Sequence, residues 1–219
     1  MADRRIVVAA DPPAEAGALL CRELSRFERP RLAIPGGSAA RALAGLPARL
    51  GAGRWSKVRL TWVDERCVPV GDRASNRGEA YRAGLLERGQ PPAMVLPLFE
   101  DGESPESACA RVLGALKDHF DSGIDVALLG MGEDGHLASL FPGRTVAGEV
   151  VAAVHDSPKP PPQRITLTLP MLRTARSSIL LAMGEGKRAA LKRLLDGDPT
   201  LPGSALESVV IVTDLGGLR

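Results

Sequence analysis

The chain has 219 residues, of which 28 are Lys or Arg and 26 are Asp or Glu, so its net charge at pH 7 is +2. This balance excludes the strong basic field of a surface that binds nucleic acid, and an aromatic content of 3% leaves few side chains on which bases could stack. No apolar stretch reaches the roughly 20 residues that a membrane-spanning helix needs.

Apolar, strand-like runs alternate with helix-like segments along most of the chain. The first part predicts strands over 4–10, 31–35, 57–64, 94–98 and 124–130, and helices over 12–27, 38–50, 75–87 and 104–120. The later part predicts strands over 149–156, 164–170, 177–184 and 208–214, and a helix over 186–197. Ser38 stands where it would cap the second helix, and Ser104 begins a Ser-Pro-Glu sequence that is typical of a helix N-terminus.

The predicted strands are continuous apolar runs rather than alternating ones, which indicates a parallel sheet that is covered on both faces. Repeated strand-helix alternation is typical of layered α/β proteins. We therefore expect a three-layer α/β fold, with a mostly parallel sheet flanked by helices on both faces. The chain has no internal repeat or long linker, so we expect a single domain over residues 1–219.

The sequence LLGMGEDGHLASLFPG (128–143) contains the spacing G-x-G-x-x-G directly after a predicted strand. In dinucleotide-binding proteins this turn is followed by a long helix, whose N-terminus takes the pyrophosphate. Here only six residues separate Gly135 from Pro142, and Glu133 and Asp134 would place carboxylates where an anion should bind. An acidic residue at a suitable distance, Asp156, does not outweigh these objections, so we set the nucleotide hypothesis aside.

What remains is a glycine-flanked turn that presents Asp134 and His136 at a strand end. Open α/β sheets bind ligands at the carboxyl ends of their strands, which makes both residues candidates for catalysis. The residues alone equally allow an ordinary Asp-Gly turn with a solvated histidine. The other two histidines, His119 in a predicted helix and His155 at the end of a strand, are more typical of surface or structural positions.

Two further strand ends carry polar residues. Gly36, Gly37 and Ser38 separate a strand from a helix, where backbone N–H groups and the hydroxyl could hold a phosphate or could simply form a turn and a cap. The triplet 64–66 (Asp-Glu-Arg) ends another strand, and such charges are costly unless they are solvated or paired. The residues alone favour a surface ion-pair cluster slightly over a binding role.

Basic side chains follow in the last third of the chain. Lys159 and Arg164 belong to the sequence SPKPPPQR, and Lys187 lies at a strand-to-helix junction. Arginine binds phosphate through its planar fork and lysine acts as a point charge, although each is also common on solvated surfaces.

Taken together, PGGS, WVDERCVPVGDRASN, LLGMGEDGHLASLFPG, SPKPPPQRITLTLP and GEGK resemble the 6-phosphogluconolactonase family across nearly the whole chain. The resemblance implies a fold like that of glucosamine-6-phosphate deaminase and hydrolysis of 6-phosphoglucono-δ-lactone to 6-phosphogluconate in the oxidative pentose phosphate pathway, with no metal or organic cofactor. It implies that His136 is the general base. It also implies that the phosphate is bound by Gly37, Ser38, Arg164 and Lys187. The substrate site would be lined by Asp64, Arg66 and Asp134.

Two segments depart from the family's pattern. Ala39-Ala40 stand where the family usually has Ser/Thr-Pro, and Leu137 stands where it usually has Thr. These departures bear on hydrogen bonding to substrate hydroxyls or phosphate and leave the His, Arg and Lys side chains in place.

Two other functions stay open from the sequence. The nearest is a glucosamine-6-phosphate deaminase/isomerase, whose Gly-x-Asp-Gly-His turn is similar, although the Asp-Glu-Arg and Ser-Pro-Lys-Pro-Pro blocks favour the lactonase. The other is a non-catalytic sugar-phosphate sensor, which usually carries a DNA-binding segment that we do not find. Three scattered cysteines and an N-terminus without a secretory signal lead us to expect a cytoplasmic protein. Its expected partner is a small sugar-phosphate lactone, with no nucleic acid or membrane, and its oligomeric state is left open, a monomer being compatible.

Overall fold

The computed structural model describes residues 3–86, 91–121 and 123–218. Within these ranges the strands are β1 (Asp3–Val8), β2 (Arg31–Ile34), β3 (Arg59–Trp62), β4 (Asp64–Arg66), β5 (Met94–Leu96), β6 (Val126–Gly130), β7 (Val151–Val154), β8 (Arg164–Leu167), β9 (Ser177–Leu181) and β10 (Ser208–Thr213). The α-helices are α1 (Pro12–Leu24), α2 (Leu46–Leu50), α3 (Ala52–Trp55), α4 (Asn76–Arg82), α5 (Pro105–Phe120), α6 (Leu169–Arg173) and α7 (Arg188–Leu195). Short 3₁₀ helices cover Gly37–Leu43, Glu185–Lys187 and Pro202–Ala205.

Seven strands form one parallel sheet in the order β1-β10-β9-β6-β2-β3-β5. All four residues from Val126 to Leu129 of the central strand β6 are fully buried. Because successive side chains of a strand point to opposite faces, this burial requires cover on both faces of the sheet. The predicted mostly parallel α/β fold is confirmed.

A second, three-stranded sheet in the order β4-β8-β7 is antiparallel, which the sequence analysis did not foresee. The predicted strand over 57–64 divides into β3 of the large sheet and β4 of the small one, and β4 pairs Asp64 with Thr166 and Arg66 with Arg164. Strand polarity is set by which segments meet, and apolar runs alone do not reveal it. The small sheet brings β8 alongside the end of β3.

The helix predicted over 38–50 is wrong as a single element. Residues 37–43 form a 3₁₀ helix, and α2 begins only after Gly45, whose φ of 65° lies in the left-handed region. Pro47 explains the break, because a proline inside a continuous helix lacks an N–H and clashes with the preceding turn. Ser38 does not cap the segment, whose N-cap is Gly36 without a side-chain hydrogen bond.

Other helix ends follow the sequence closely. The Asp11 carboxylate accepts a hydrogen bond from the Ala14 N–H at the start of α1, and the Ser104 hydroxyl accepts one from the Ser107 N–H at the start of α5. Helix α4 is shorter than predicted, and the last residue of that prediction, Glu87, lies outside the described residues. None of the described helices is both long and apolar enough to cross a lipid bilayer.

The order of strands reverses between β2 and β6. From β2 the chain builds outward through β3 and β5, whereas from β6 it builds in the other direction through β9 and β10. Ligands of open α/β sheets bind outside the carboxyl ends of the strands at such a reversal. The segments that follow β2, β3, β6 and β9 therefore meet at the position where a ligand is expected.

Candidate active site

A cavity of about 180 Å³ lies where these segments meet. Seven of the eight side chains or glycines predicted for the site line it, namely Gly37, Ser38, Asp64, Arg66, His136, Arg164 and Lys187. The eighth, Asp134, contacts His136 directly. The tertiary structure thus brings together residues from five separate segments of the chain.

A larger cavity of about 530 Å³ adjoins the first, and Pro35 and Asn76 line both. It contains neither His136 nor any of the predicted site residues, and its wall is mainly apolar. We assign the candidate active site to the smaller cavity, because that is where the titratable and charged groups converge.

Asp134 and His136 form a close pair on the turn after β6. The imidazole Nδ1 lies 2.6 Å from Asp134 Oδ1, and the His136 backbone N–H donates to the same oxygen at 3.3 Å. Since an ionised carboxylate can only accept, Nδ1 carries the proton and Nε2 of the neutral ring is left as an acceptor. Among the described residues no group bonds to Nε2, so it is free to meet a ligand or water.

The ionisation of this pair follows from burial and from the contact between its members. Burial lowers the pKa of His136 below its ordinary value, although the hydrogen bond and charge of Asp134 oppose that effect. Burial alone would raise the pKa of Asp134, but its bonds with His136 and the nearby Lys159 charge hold it below the usual range. At neutral pH the pair is therefore a carboxylate beside a neutral imidazole.

The glycines of the turn have a steric purpose that the nucleotide hypothesis missed. A Cβ at Gly132 would lie 2.0 Å from His136 Nδ1 and 2.3 Å from Asp134 Oδ1, so any larger residue would displace the pair. The Gly132 N–H also donates to the His136 carbonyl at 2.9 Å, which closes the turn. Residues 131–150 contain no helix, so the segment lacks the helix N-terminus that a dinucleotide requires.

The triplet at 64–66 is not a surface ion-pair cluster, because Asp64 and Glu65 are 5% and 3% exposed. Asp64 Oδ2 accepts a bond of 2.7 Å from the Ser139 hydroxyl and lies 3.7 Å from Arg164 Nη1. Its backbone carbonyl and Oδ1 accept from Asn76 Nδ2 at 2.8 and 3.2 Å. Asp64 is thus held by contacts from three segments while it lines the cavity, and the Ser139 hydroxyl is fully buried with its proton directed to Asp64.

Arg164 is 3% exposed and most of its donors are already used. Its guanidinium donates to the carbonyls of Lys159, Pro160 and Pro161 at 2.8, 3.3 and 3.1 Å. These bonds hold the proline-rich loop against β8, and only Nη1 is directed at Ser139 and Asp64. Arg164 therefore shapes the cavity wall, and it has fewer N–H groups left for a ligand than an exposed arginine has.

Lys159 was recognised in the sequence as a basic residue but was not predicted to belong to the site. Its ammonium lies 3.5 Å from Asp134 Oδ1, and the residue lines the cavity from the loop that Arg164 holds. The signal was present in the Ser-Pro-Lys-Pro-Pro block, but nothing in that block indicates that the lysine folds back toward the histidine.

The remaining residues predicted to bind the phosphate, Gly37, Ser38 and Lys187, line the same cavity. Ser38 is exposed and Lys187 half-buried, and Lys187 forms no ion pair with any described residue. The Gly37 N–H donates to the Glu79 carboxylate at 2.7 Å, so a phosphate would have to displace this carboxylate to bind there. The described residues contain no group of three or more His, Cys, Asp or Glu side chains arranged to hold a metal ion.

Comparison with known proteins assigns the chain to a family. The sequence model described as glucosamine-6-phosphate isomerases/6-phosphogluconolactonase matches residues 13–212. The chain belongs to this family. Within it, a human protein named 6-phosphogluconolactonase is 41% identical over 182 residues, which cover 78% of this chain and 70% of the human protein.

Solved structures of the family share the fold. A 6-phosphogluconolactonase from Thermotoga maritima has a TM-score of 0.83 at 23% identity, with 96% of this chain and 99% of that chain covered. A monomeric glucosamine-6-phosphate deaminase has a TM-score of 0.78 at 16% identity, with 99% and 100% covered. At these identities the likeness shows the fold alone, and the fold does not separate the two activities.

The two departures from the family's pattern occupy different positions. Leu137 is fully buried, belongs to the hydrophobic core and does not line the cavity. Ala39 does line the cavity, and its methyl group is the neighbour that a Cβ at Gly130 would meet at 3.0 Å. Of the two departures, the one at Ala39 is therefore nearer to a bound ligand.

Proposed function

We propose that this enzyme hydrolyses 6-phosphoglucono-δ-lactone to 6-phosphogluconate, the hydrolytic step of the oxidative pentose phosphate pathway. The observation that carries the proposal is the Asp134–His136 pair, which leaves an unprotonated imidazole nitrogen at a cavity lined by Arg66, Lys159 and Lys187. The 41% identity with a human 6-phosphogluconolactonase favours this substrate.

In the proposed mechanism His136 acts first as a general base. Nε2 takes a proton from a water molecule as the water oxygen attacks C1 of the lactone, and Asp134 stabilises the resulting imidazolium through Nδ1. The C1 carbonyl becomes an oxyanion, which the guanidinium of Arg66, a residue that lines the cavity, stabilises. The bond between C1 and the ring oxygen then breaks, and the ring oxygen receives the proton from His136.

The phosphate supplies binding energy at a distance from the reacting carbon. Ser38 and Lys187 line the cavity that His136 also lines, and a phosphate held by them fixes the lactone with C1 toward His136. A lactone is an activated ester, so positioning and one general base suffice without a nucleophilic side chain. None of the ion pairs of the described residues involves Lys187, which leaves its charge available to an anion.

A glucosamine-6-phosphate deaminase activity is the second candidate, because a deaminase structure shares the fold. The two reactions give different products. Purified enzyme should accelerate lactone hydrolysis well above the uncatalysed rate at neutral pH, and it should release no ammonia from glucosamine 6-phosphate. Ammonia release without lactone hydrolysis would reverse the assignment, and the absence of both activities would favour a non-catalytic binding protein.

Replacing Lys187 by alanine should raise the KM for the lactone about 10- to 100-fold, because a charge-assisted hydrogen bond contributes ~1.5–3 kcal/mol. The value of kcat should change little, since the phosphate is remote from C1. Steady-state kinetics of the variant measure both constants. Lys192→Ala, on the exposed face of α7, is the matched control and should leave KM unchanged. A normal KM for Lys187→Ala would contradict the phosphate role.

A further inference from the structure

Glu65 stands between two residues that line the cavity but does not itself line it. Side chains alternate along β4, so Asp64 and Arg66 point toward the cavity while Glu65 points the other way. At 3% exposure a carboxylate is expensive to bury, and such a residue needs a full set of donors.

The donors to Glu65 come from its own strand and from the start of α4. Oε1 accepts from the backbone N–H groups of Arg66 and Asn76, each at 2.7 Å. Oε2 accepts from the Arg77 N–H at 2.7 Å and from the Ser75 hydroxyl at 3.2 Å. Both oxygens are thus saturated by four donors, three of which belong to the segment 75–77.

The same segment reaches back to the cavity residues on either side of Glu65. Asn76 Nδ2 donates to the carbonyl and carboxylate of Asp64, and Arg66 Nη1 donates to the Ala74 carbonyl at 2.7 Å. The carboxylate of Glu65 thus links β4 to the start of α4, because it accepts hydrogen bonds from backbone N–H groups of both elements. Burial raises the pKa of Glu65, and the three backbone donors oppose that rise by stabilising the ionised form.

We propose that Glu65 is a positioning residue for the reaction, which sets Asp64 and Arg66 in the cavity by joining β4 to the start of α4. The inference rests on the proposed function, because its effect is exerted on groups that bind the lactone. Glutamine at this position keeps the shape but replaces one accepting oxygen with an NH₂ group that faces N–H donors. The strand end then shifts relative to α4, and Arg66 loses its register with the substrate.

Glu65→Gln should lower kcat/KM for the lactone about 10- to 100-fold, through kcat as well as KM because Arg66 serves both the oxyanion and substrate binding, and it should raise the Kd for 6-phosphogluconate by a similar factor. The matched control is Glu103→Gln. Glu103 accepts two bonds from the Arg111 guanidinium and one from the Glu100 N–H, and it does not line the cavity. This control should lower the melting temperature without changing KM or Kd, which separates positioning from general loss of stability.

The outcomes distinguish the two proposals. If the wild type is active and Glu65→Gln leaves both kcat/KM and the Kd for 6-phosphogluconate unchanged, the positioning role alone is contradicted, whereas a wild-type enzyme without lactonase activity contradicts the proposed function. If Glu65→Gln does not fold, Ser75→Gly removes the hydroxyl donor and leaves the carboxylate in place, and glycine is well tolerated at the N-cap of α4 that Ser75 also forms. It should lower kcat/KM about 3- to 10-fold, as expected for the loss of one long hydrogen bond of ordinary strength, and an unchanged kcat/KM would overturn the inference.

Discussion

Replacing His136 by alanine should lower kcat for lactone hydrolysis by about 10²- to 10⁴-fold, the usual contribution of a general base. The reason is specific to this residue. Its Nδ1 is engaged by Asp134 at 2.6 Å, and Nε2 is the unprotonated nitrogen at the cavity. KM should change much less than kcat, because the phosphate contacts lie on other segments.

The variant should remain folded, since His136 is on a turn and its main packing partner is one ring, that of Phe141, with centroids 4.8 Å apart. Circular dichroism and thermal melting check this point. His119→Ala is the matched control, because His119 is exposed on α5 and far from the cavity lining. A His136→Ala enzyme with near-normal kcat would remove the histidine from the mechanism, whatever the effect on KM.

Asp134→Asn should lower kcat by about 10²- to 10⁴-fold while the cavity keeps its shape. An Asn side chain can donate its NH₂ to Nδ1, which favours the ring tautomer with the proton on Nε2 and leaves no base facing the substrate. The equivalent exchange in a Ser-His-Asp triad costs about 10⁴ in kcat through the same tautomer. Steady-state kinetics and a crystal structure of the variant would show whether the geometry persists while turnover is lost.

The pH dependence of kcat/KM tests the electrostatic coupling between Asp134 and His136. Only neutral His136 can accept a proton, so kcat/KM of the wild type should rise with pH through the pKa of this histidine. Burial lowers that pKa, and the acid limb should therefore lie below the ordinary value of 6.5. Asp134 opposes the lowering, so its loss should move the residual acid limb of Asp134→Asn to still lower pH. A limb that moved upward would contradict the proposed electrostatics.

The sequence predicted the order of strands and helices because each element has a local signature. Continuous apolar runs predicted the buried strands, and capping residues such as Asp11 and Ser104 marked the helix starts. The main local error, the helix over 38–50, came from underrating Pro47 after Gly45. Such signals involve residues that are close in the sequence, so they can be recognised without knowledge of the fold.

The placement of candidate site residues followed from one topological rule. Polar residues after β2, β3, β6 and β9 were expected to converge because parallel strands present their carboxyl ends at one edge. In the structure these residues do line one cavity, whereas their catalytic and binding roles stay predictions. Lys159 was undervalued, because the loop that carries it belongs to the antiparallel sheet.

The sequence by itself determined that this is an α/β protein whose turn after β6 carries Asp134 and His136 at the carboxyl edge of the sheet, where a ligand is expected. Only the tertiary structure decided which charges are free and which are already bound. The Ser139 hydroxyl donates to Asp64, which lies 75 residues away in the sequence, and the Arg164 guanidinium donates to carbonyls of the preceding proline-rich loop. Likewise, Gly132 is required by the close approach of a histidine rather than by a nucleotide. Residue type and spacing encode local geometry, whereas burial and hydrogen-bond partners depend on segments that meet only in the folded chain.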